Sequence, residues 1–365
     1  MQNLLVTLLS DQTVPNVQFI KEKQNNDTVF LFISTPKMEE KGVKKWIQKV
    51  CNIQENKIIT KVVDQFSLSN IETKLNELNF DEYERITVNV TGGTKIMSHT
   101  ATEFFKELGA EIYYLTGAGN SMLQVYPRKR QSLQTISNQI SLKEYIECHG
   151  FTMREGSLSG TCFNYSQTFL QNFLNFGDPE WRIINKLREQ RGKTVLIKDI
   201  NGLQGLCCNI EFPLNDQNYL KVSKNEVKYL TGDWFEEYIY YRLKQELSIN
   251  DEDLKTGITL TKDSSTNEFD VVFLWKGTLY TIECKTSIIG KDNENILNET
   301  IYKSTALQKN LGLFTKSSIF TLSSKDGKEV KENHIDRAKV FGVQVFCRED
   351  ILNCKSISQL LSLSL

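Results

Sequence analysis

The chain has 365 residues, with 44 Lys plus Arg against 45 Asp plus Glu, three His and a formal charge of −1. That length leaves room for two domains, each with an ample core. The balanced charge excludes a global field for nucleic acid, so any nucleic-acid groove has to be local. Eight cysteines are scattered apart from the adjacent Cys207 and Cys208, with no CxxC pair, which argues against structural zinc. Without a signal-like start or a long apolar run, the expected setting is a reducing cytoplasm, with no membrane association.

In chain order, the first portion alternates short β-rich runs with amphipathic segments. NLLVTLL, TVFLFIS, KIITKVV, RITVNVT and AEIYYLT read as strands, while EKGVKKWIQKVC and SNIETKLNELN read as helices. This rhythm predicts an α/β fold with a mostly parallel, doubly wound sheet, which binds ligands beyond the carboxyl ends of its strands. Those ends carry LSDQT after the first run, STPK after the second and NVTGGTK after the fourth.

The rhythm stops over residues 143–165, where HGFTMREGSLSGTCFNYS is rich in Gly, Ser and Thr and reads as a linker or strand-like connection. SQTFLQNFLNF and PEWRIINKLREQ read as helices, and TVLIKDINGLQGLCCNIEFPL as a small β region broken at glycines. A helix beginning near Trp234 follows, then a hairpin around Asp270, a helix around Lys303 and a final strand and helix in VFGVQVFCREDILN.

The glycine turn NVTGGTK passes from a strand into a helix, which leaves backbone N–H groups free to meet an anion. It has neither Walker A spacing nor GxGxxG, so it speaks against a nucleoside triphosphatase and a dinucleotide oxidoreductase. The plain alternative is a strand-to-helix turn capped by Thr91 or Thr94. Placed after a fourth strand and before a helix and a strand, the turn closely resembles the CARF domains of type III CRISPR effectors. That resemblance covers roughly residues 1–140 and implies a Rossmann-like sensor of cyclic oligoadenylates. By position, Ser10, Asp11, Gln12 and Thr13 then form the first ligand loop, and Thr35 and Pro36 the second. Asn89, Thr91, Gly92, Gly93, Thr94 and Lys95 form the third.

In FDVVFLWKGTLYTIECKTS, alternating apolar runs flank Lys276-Gly277, so a two-residue hairpin is expected in which Trp275 faces Thr278. Asp270 then falls opposite Glu283, with Lys285 on the same face, while Phe269, Val271, Phe273, Tyr280 and Ile282 take the other. A solvated, charged outer face is the simple reading. Opposed carboxylates nonetheless repel unless something positive lies between them. A hard cation, Mg²⁺ or Mn²⁺, suits two carboxylates and nearby backbone carbonyl oxygens, with Asp270, Glu283 and Cys284 as the expected contacting positions. The Cys284 side chain itself is expected on the apolar side. Lys285 could position or deprotonate a water, or stabilise the charge of an attacked phosphate.

Asp270 and Glu283-Cys284-Lys285 resemble the catalytic core of the PD-(D/E)xK nucleases, with Phe269 standing where the name has proline. In the preceding helix, TGDWFEEYIYYRLKQEL, the resemblance implies that Glu236 reaches the metal. A capping box between Asp233 and Glu236 is the alternative. Lys303, Gln308 and Lys309 of the following helix could face a phosphate backbone. The expected layout is a CARF sensor over 1–142, a linker over 143–165 and a restriction-endonuclease-like domain over 166–365.

This combination resembles the CARF nucleases activated by cyclic tetraadenylate. It implies a homodimer that binds the ring across its twofold axis and cuts RNA or DNA with a divalent metal. Two rivals stand beside it. One is an inactive nucleotide-sensing regulator that binds nucleic acid, and the other an ungated restriction-type endonuclease.

Overall fold

The five β-rich runs of the N-terminal portion form β1 (Gln2–Leu8), β2 (Thr28–Ser34), β3 (Ile58–Val62), β4 (Tyr83–Asn89) and β5 (Glu111–Leu115). In the computed structural model, which describes residues 2–116, 121–128, 133–156, 163–216, 218–289, 295–325 and 329–363, these five strands are parallel. Their sheet, ordered β3-β2-β1-β4-β5, is extended antiparallel by β6 (Ser121–Tyr126) and β7 (Leu133–Thr135). Because β1 has β2 on one side and β4 on the other, the strand order reverses at β1. The loops leaving β1 and β4 therefore lie side by side at the switch point where such sheets hold ligands.

Apolar residues on both faces of β1 explain its burial. Leu4, Val6 and Leu8 pack with Leu75, Met97 and Phe105 on one face, and Leu5 packs with Phe19, Phe32 and Ile47 on the other. This second layer does not end at the N-terminal sheet. It continues through Tyr145 and Ile146 to Ile258, Leu260, Val272, Leu279 and Leu311 of the C-terminal half, so the two halves share a core.

The second sheet contains β8 (Thr152–Arg154), β11 (Leu254–Lys262), β12 (Ser265–Trp275), β13 (Thr278–Lys285), β14 (Thr315–Thr321) and β15 (Val343–Phe346). Its order is β15-β14-β13-β12-β11-β8. The short β9 (Val195–Leu196) and β10 (Lys221–Val222) pair apart from it. Helix Trp234–Leu247 precedes β11, and helix Leu297–Asn310 crosses between the parallel β13 and β14, in the expected order.

Two stretches differ in form from the sequence reading. Within 143–165, the described residues hold nearly all of a helix, Leu142–Cys148, the edge strand β8 and the start of a helix, Phe163–Leu174; 157–162 lie outside the described residues. Ser141 and Glu144 cap the first of these helices reciprocally, and Tyr145 Oη donates to the Leu311 carbonyl at 3.2 Å. Residues 194–214, expected as a small β region, contain the two-residue β9, a single 3-10 turn, Ile197–Asp199, and then a helix, Leu203–Asn209. There the spacing of Leu203, Leu206, Cys207 and Ile210 buries one helical face, and Gly202, at φ 87°, starts the helix. That 3-4-7 periodicity outweighs the glycines read as strand breaks. Among the described residues, no helix is long and apolar enough to cross a membrane.

Candidate functional site

The hairpin has the expected register: Trp275 pairs with Thr278, and the ladder continues to Val271 with Ile282. Lys276 and Gly277, at φ 48° and 77°, make the turn with two left-handed residues, which matches the twist of the strands. One step further the ladder opens. The Cys284 N–H donates to Asp270 Oδ2 at 2.7 Å, so a carboxylate stands where a backbone carbonyl would in a continuing ladder.

Val271, Phe273, Tyr280 and Ile282 share one core cluster, as expected, but Phe269 does not join them. It packs with Ile258 and Leu260 in the interdomain layer. The physical cause lies across the ladder. Gly257, at φ 60°, falls between the pairs Thr256–Val271 and Ile258–Phe269, and an added Cβ on the neighbouring Gly156 would lie 2.2 Å from its carbonyl oxygen. This kink turns both strands over at Asp270, the kind of local irregularity that re-aims side chains beside active sites.

Lys285 Nζ lies 3.3 Å from Asp270 Oδ2 and 3.1 Å from Glu283 Oε2, and Lys303 Nζ reaches Glu283 Oε1 at 3.1 Å. Burial, then the neighbouring Glu283, pushes the Asp270 carboxyl up to about 6. Burial draws the Lys285 ammonium down, but Asp270 and Glu283 outweigh it and hold the proton on more firmly than usual. Lys285 therefore sits there as a cation. Burial, with Asp270 and Asp233 nearby, raises Glu236 well above the ordinary carboxyl range. Asp270 thus has a carboxyl neighbour on either side, Glu283 and Glu236, and shares Lys285 with Glu283.

Glu236 lines the same cleft as Asp270, Glu283 and Lys285, a space of about 1560 Å³. Asp233 makes no capping hydrogen bond with its side chain and pairs instead with Arg191. Cys284 contributes no thiolate, because its side chain is buried in the core and burial raises it well above its normal pKa. Any metal contact from Cys284 would run through its main chain. Among the described residues, no three His, Cys, Asp or Glu side chains converge to enclose a metal. The donors fit an ion held by two carboxylates that keeps several waters, as Mg²⁺ does.

Of the other residues named from sequence, Gln308 uses Nε2 to hold the Thr315 carbonyl at 2.8 Å, and Lys309 is exposed. Arg188 and Arg191 also line the cleft, and the sequence reading did not single them out. Arg188 belongs to the polar side of a helix that buries Ile183, Ile184 and Leu187, and Arg191 lies in the turn just beyond its end.

Away from this cleft, the first and third candidate ligand loops meet. An added Cβ on Gly92 would lie 2.2 Å from the Leu8 carbonyl oxygen, so only glycine lets the β4 loop approach the end of β1. Gly93, at φ 74°, completes the turn, and Thr94 Oγ1 caps the next helix by accepting from the Met97 N–H at 3.2 Å. Lys95 opens that helix and is exposed. Asn89 is fully buried; its Nδ2 donates to Asn16 Oδ1 at 3.0 Å, and its Oδ1 accepts from Thr91 Oγ1 at 2.6 Å.

In the first loop, Ser10 Oγ bonds within the loop at Gln12, and Asp11 pairs with Lys41. Thr13 Oγ1 donates to the Cys148 carbonyl at 2.6 Å. Gln12 Oε1 accepts from the Leu313 N–H at 3.1 Å, which fastens this loop to the turn before β14. Thr35, buried, caps a helix that begins at Pro36. The buried threonines and Asn89 thus build the loops, while Ser10, Asp11, Gly93 and Lys95 reach the surface.

Residues 4–145 match the Card1 CARF domain, and residues 223–362 match the Card1-like endonuclease domain. No curated protein matches the sequence. Among solved structures, Can2 from Sulfobacillus thermosulfidooxidans in complex with cyclic tetra-adenylate is 23% identical, with 98% of this chain and 96% of that chain covered and a TM-score of 0.75. Protein VC1899 from Vibrio cholerae is 16% identical, with 96% and 95% covered and a TM-score of 0.74. A type III CRISPR defence DNA nuclease activated by cyclic oligoadenylate is 14% identical, with 98% of this chain but 52% of that chain covered and a TM-score of 0.53. At these identities the likeness speaks to the fold. The chain therefore carries a Card1 CARF domain followed by a Card1-like endonuclease domain.

Proposed function

We propose that this protein is an endonuclease of type III CRISPR defence, switched on by a cyclic oligoadenylate, cyclic tetraadenylate foremost, and dependent on Mg²⁺ or Mn²⁺. The observation that carries this reading is the Asp270, Glu283 and Lys285 group at a deep cleft within a Card1-like endonuclease domain. It acts in the cytoplasm on RNA or DNA, as a homodimer whose paired sensor loops each hold half of the ring. Residues 1–142 form the sensor, 143–165 the connection and 166–365 the nuclease.

A bound divalent ion supplies an activated water and neutralises charge on the attacked phosphate. Asp270 and Glu283 would hold it, and Glu236, raised by burial and by Asp270 and Asp233, lines the same wall of the cleft. Lys285, kept protonated by the two carboxylates, stabilises the extra negative charge that develops on the phosphate. Lys303 neutralises Glu283 when no metal is present.

The sensor loops reach this machinery through the shared core and through Gln12, whose partner Leu313 follows the helix that carries Lys303. A ring that binds one arrangement of the two halves more tightly than another therefore shifts the nuclease. The test incubates the purified protein with labelled RNA, single-stranded DNA and plasmid, with and without cyclic tetraadenylate and Mn²⁺. Cleavage that needs both additions supports the reading. Equal cleavage without the ring removes the gating, and no cleavage of any substrate removes the nuclease.

A further inference from the structure

Arg188 belongs to neither matched region, since it stands between residues 145 and 223. Its helix, Asp178–Glu189, buries Ile183, Ile184 and Leu187 and turns Trp181, Asn185 and Arg188 toward the cleft. These three fall at i, i+4 and i+7, so they share one face. Arg188 Nη2 donates to Thr286 Oγ1 at 3.2 Å, and Nη1 donates to Asn185 Oδ1 at 3.0 Å. The guanidinium lies 5.9 Å from the centre of the Trp181 ring. Trp181 is itself wedged edge-on against Phe173, at 4.8 Å between ring centres, so this backing is firm.

Three other cations that line the cleft have acidic partners: Arg191 has Asp233, Lys285 has Asp270 and Glu283, and Lys303 has Glu283. Among the described residues, Arg188 makes no ion pair. A half-buried guanidinium with only neutral partners is costly, because solvation is lost and no opposite charge replaces it. Burial and the neighbouring Arg191 already weaken its hold on its proton. It cannot escape by becoming neutral in water's pH range. Two of its N–H groups are spent on Thr286 and Asn185, and the rest remain for an oxyanion in the fork geometry that suits phosphate. Thr286 directly follows Lys285, so that oxyanion would sit beside the catalytic group.

We propose that Arg188, held by Thr286, Asn185 and Trp181, forms a second phosphate subsite that grips the substrate strand next to the phosphate being cut. This rests on the endonuclease reading above. It adds to that reading a binding residue from a helix outside the matched endonuclease domain. Because the contact is made before and during reaction alike, Arg188 should act on KM more than on kcat.

The test compares the full-length wild type with Arg188→Gln and Arg188→Ala, with cyclic tetraadenylate and Mn²⁺ present, on a labelled single-stranded oligonucleotide over a range of salt. The glutamine keeps a donor for Thr286, so it decides the matter if the alanine variant fails to fold. The expected result is a KM raised roughly 10-fold or more, as for a lost charge-assisted hydrogen bond, with kcat changed far less. The slope of log KM against log salt should also flatten by about 0.7, the share of one phosphate contact on a single strand. Wild-type KM and salt slope in Arg188→Gln would overturn the subsite. If the wild type cuts nothing, the endonuclease reading fails separately. Fluorescence anisotropy of the same oligonucleotide then judges the subsite, and equal affinities of wild type and Arg188→Gln overturn it.

Discussion

The sensor loops and the nuclease cleft solve opposite problems. In the loops, almost every polar side chain is already satisfied inside the protein: Asn89 by Asn16 and Thr91, Thr13 by Cys148, Thr94 by Gln65 and Met97. In the cleft, Asp270, Glu283 and Glu236 crowd together, and Asp270 is pushed up to about 6. The first region is finished before its ligand arrives, which lowers the ordering cost of binding. The second is left short of positive charge, which a cation and a substrate clamp would supply. The loops are thus built largely on backbone and buried neutral groups, and the cleft on charges held in tension.

The largest break of this contrast is at the carboxylates. Asp270→Asn or Glu283→Gln should reduce cleavage by more than about 100-fold, beyond the usual loss for a group one shell out from a metal. Melting curves sharpen the point. Mn²⁺ should raise the melting temperature of the wild type through binding to the folded state, and should leave the variants unmoved. A variant that still responds to Mn²⁺ would place the ion elsewhere.

Next comes the finished region. Gly92→Ala sets a Cβ against the Leu8 carbonyl, and overpacking of this kind costs about 1–3 kcal/mol. Calorimetric titration should show cyclic tetraadenylate binding lost or greatly weakened, while the cleft still binds Mn²⁺. Gly93→Asp, which adds repulsion for an anion to the strain of φ 74°, should do the same. Unchanged affinity in both would make the turn purely structural.

A smaller effect tests the seam between the two regions. Burial holds the His149 imidazole at about 4, and an added Cβ on Gly312 would lie 2.5 Å from its Nε2. Since the folded value lies below the unfolded one of about 6.5, the unfolded chain takes up the proton first. Stability is therefore full above about 6.5 and is lost as pH falls toward 4. From pH 7 to pH 5 the loss amounts to about 2 kcal/mol by linkage. Denaturant melts of the wild type and His149→Gln at both pH values check this, and the variant should show the shallower dependence.

The smallest expected effect is at Gln12. Gln12→Ala removes one hydrogen bond between sensor loop and nuclease, worth about 1 kcal/mol. Ring binding should persist, while the ratio of activated to basal cleavage changes by roughly 5-fold, the low end of ordinary coupling energies. An unchanged ratio would mean that the shared core alone carries the signal.

Much of this was legible in the chain. The alternation of β-rich runs with amphipathic segments announced the parallel sheet, NVTGGTK announced the turn beyond β4, and Lys276-Gly277 set the hairpin register that brings Asp270 toward Glu283. Less legible was the helix at Leu203–Asn209, where glycines masked a helical spacing. The kink that sends Phe269 into a different core from Val271 was hidden as well, because it depends on Gly257 and Gly156 meeting across strands far apart in sequence. Arg188 was invisible for a related reason. Its meaning comes from lacking a counter-ion beside Thr286, 98 residues away.

The sequence by itself determined the local elements, their order and the chemical kinds of residue at both sites, because hydrophobic period, turn residues and caps act over a few neighbours. Only the tertiary structure decided which polar groups are satisfied and which are left wanting. Gln12 is spent on Leu313, Asn89 on Asn16 and Cys284 on the core, while burial beside Glu283 raises Asp270 and Arg188 makes no ion pair among the described residues. That division rests on burial and on distances between residues remote in the chain, since the cost of a charge is set by what surrounds it in space.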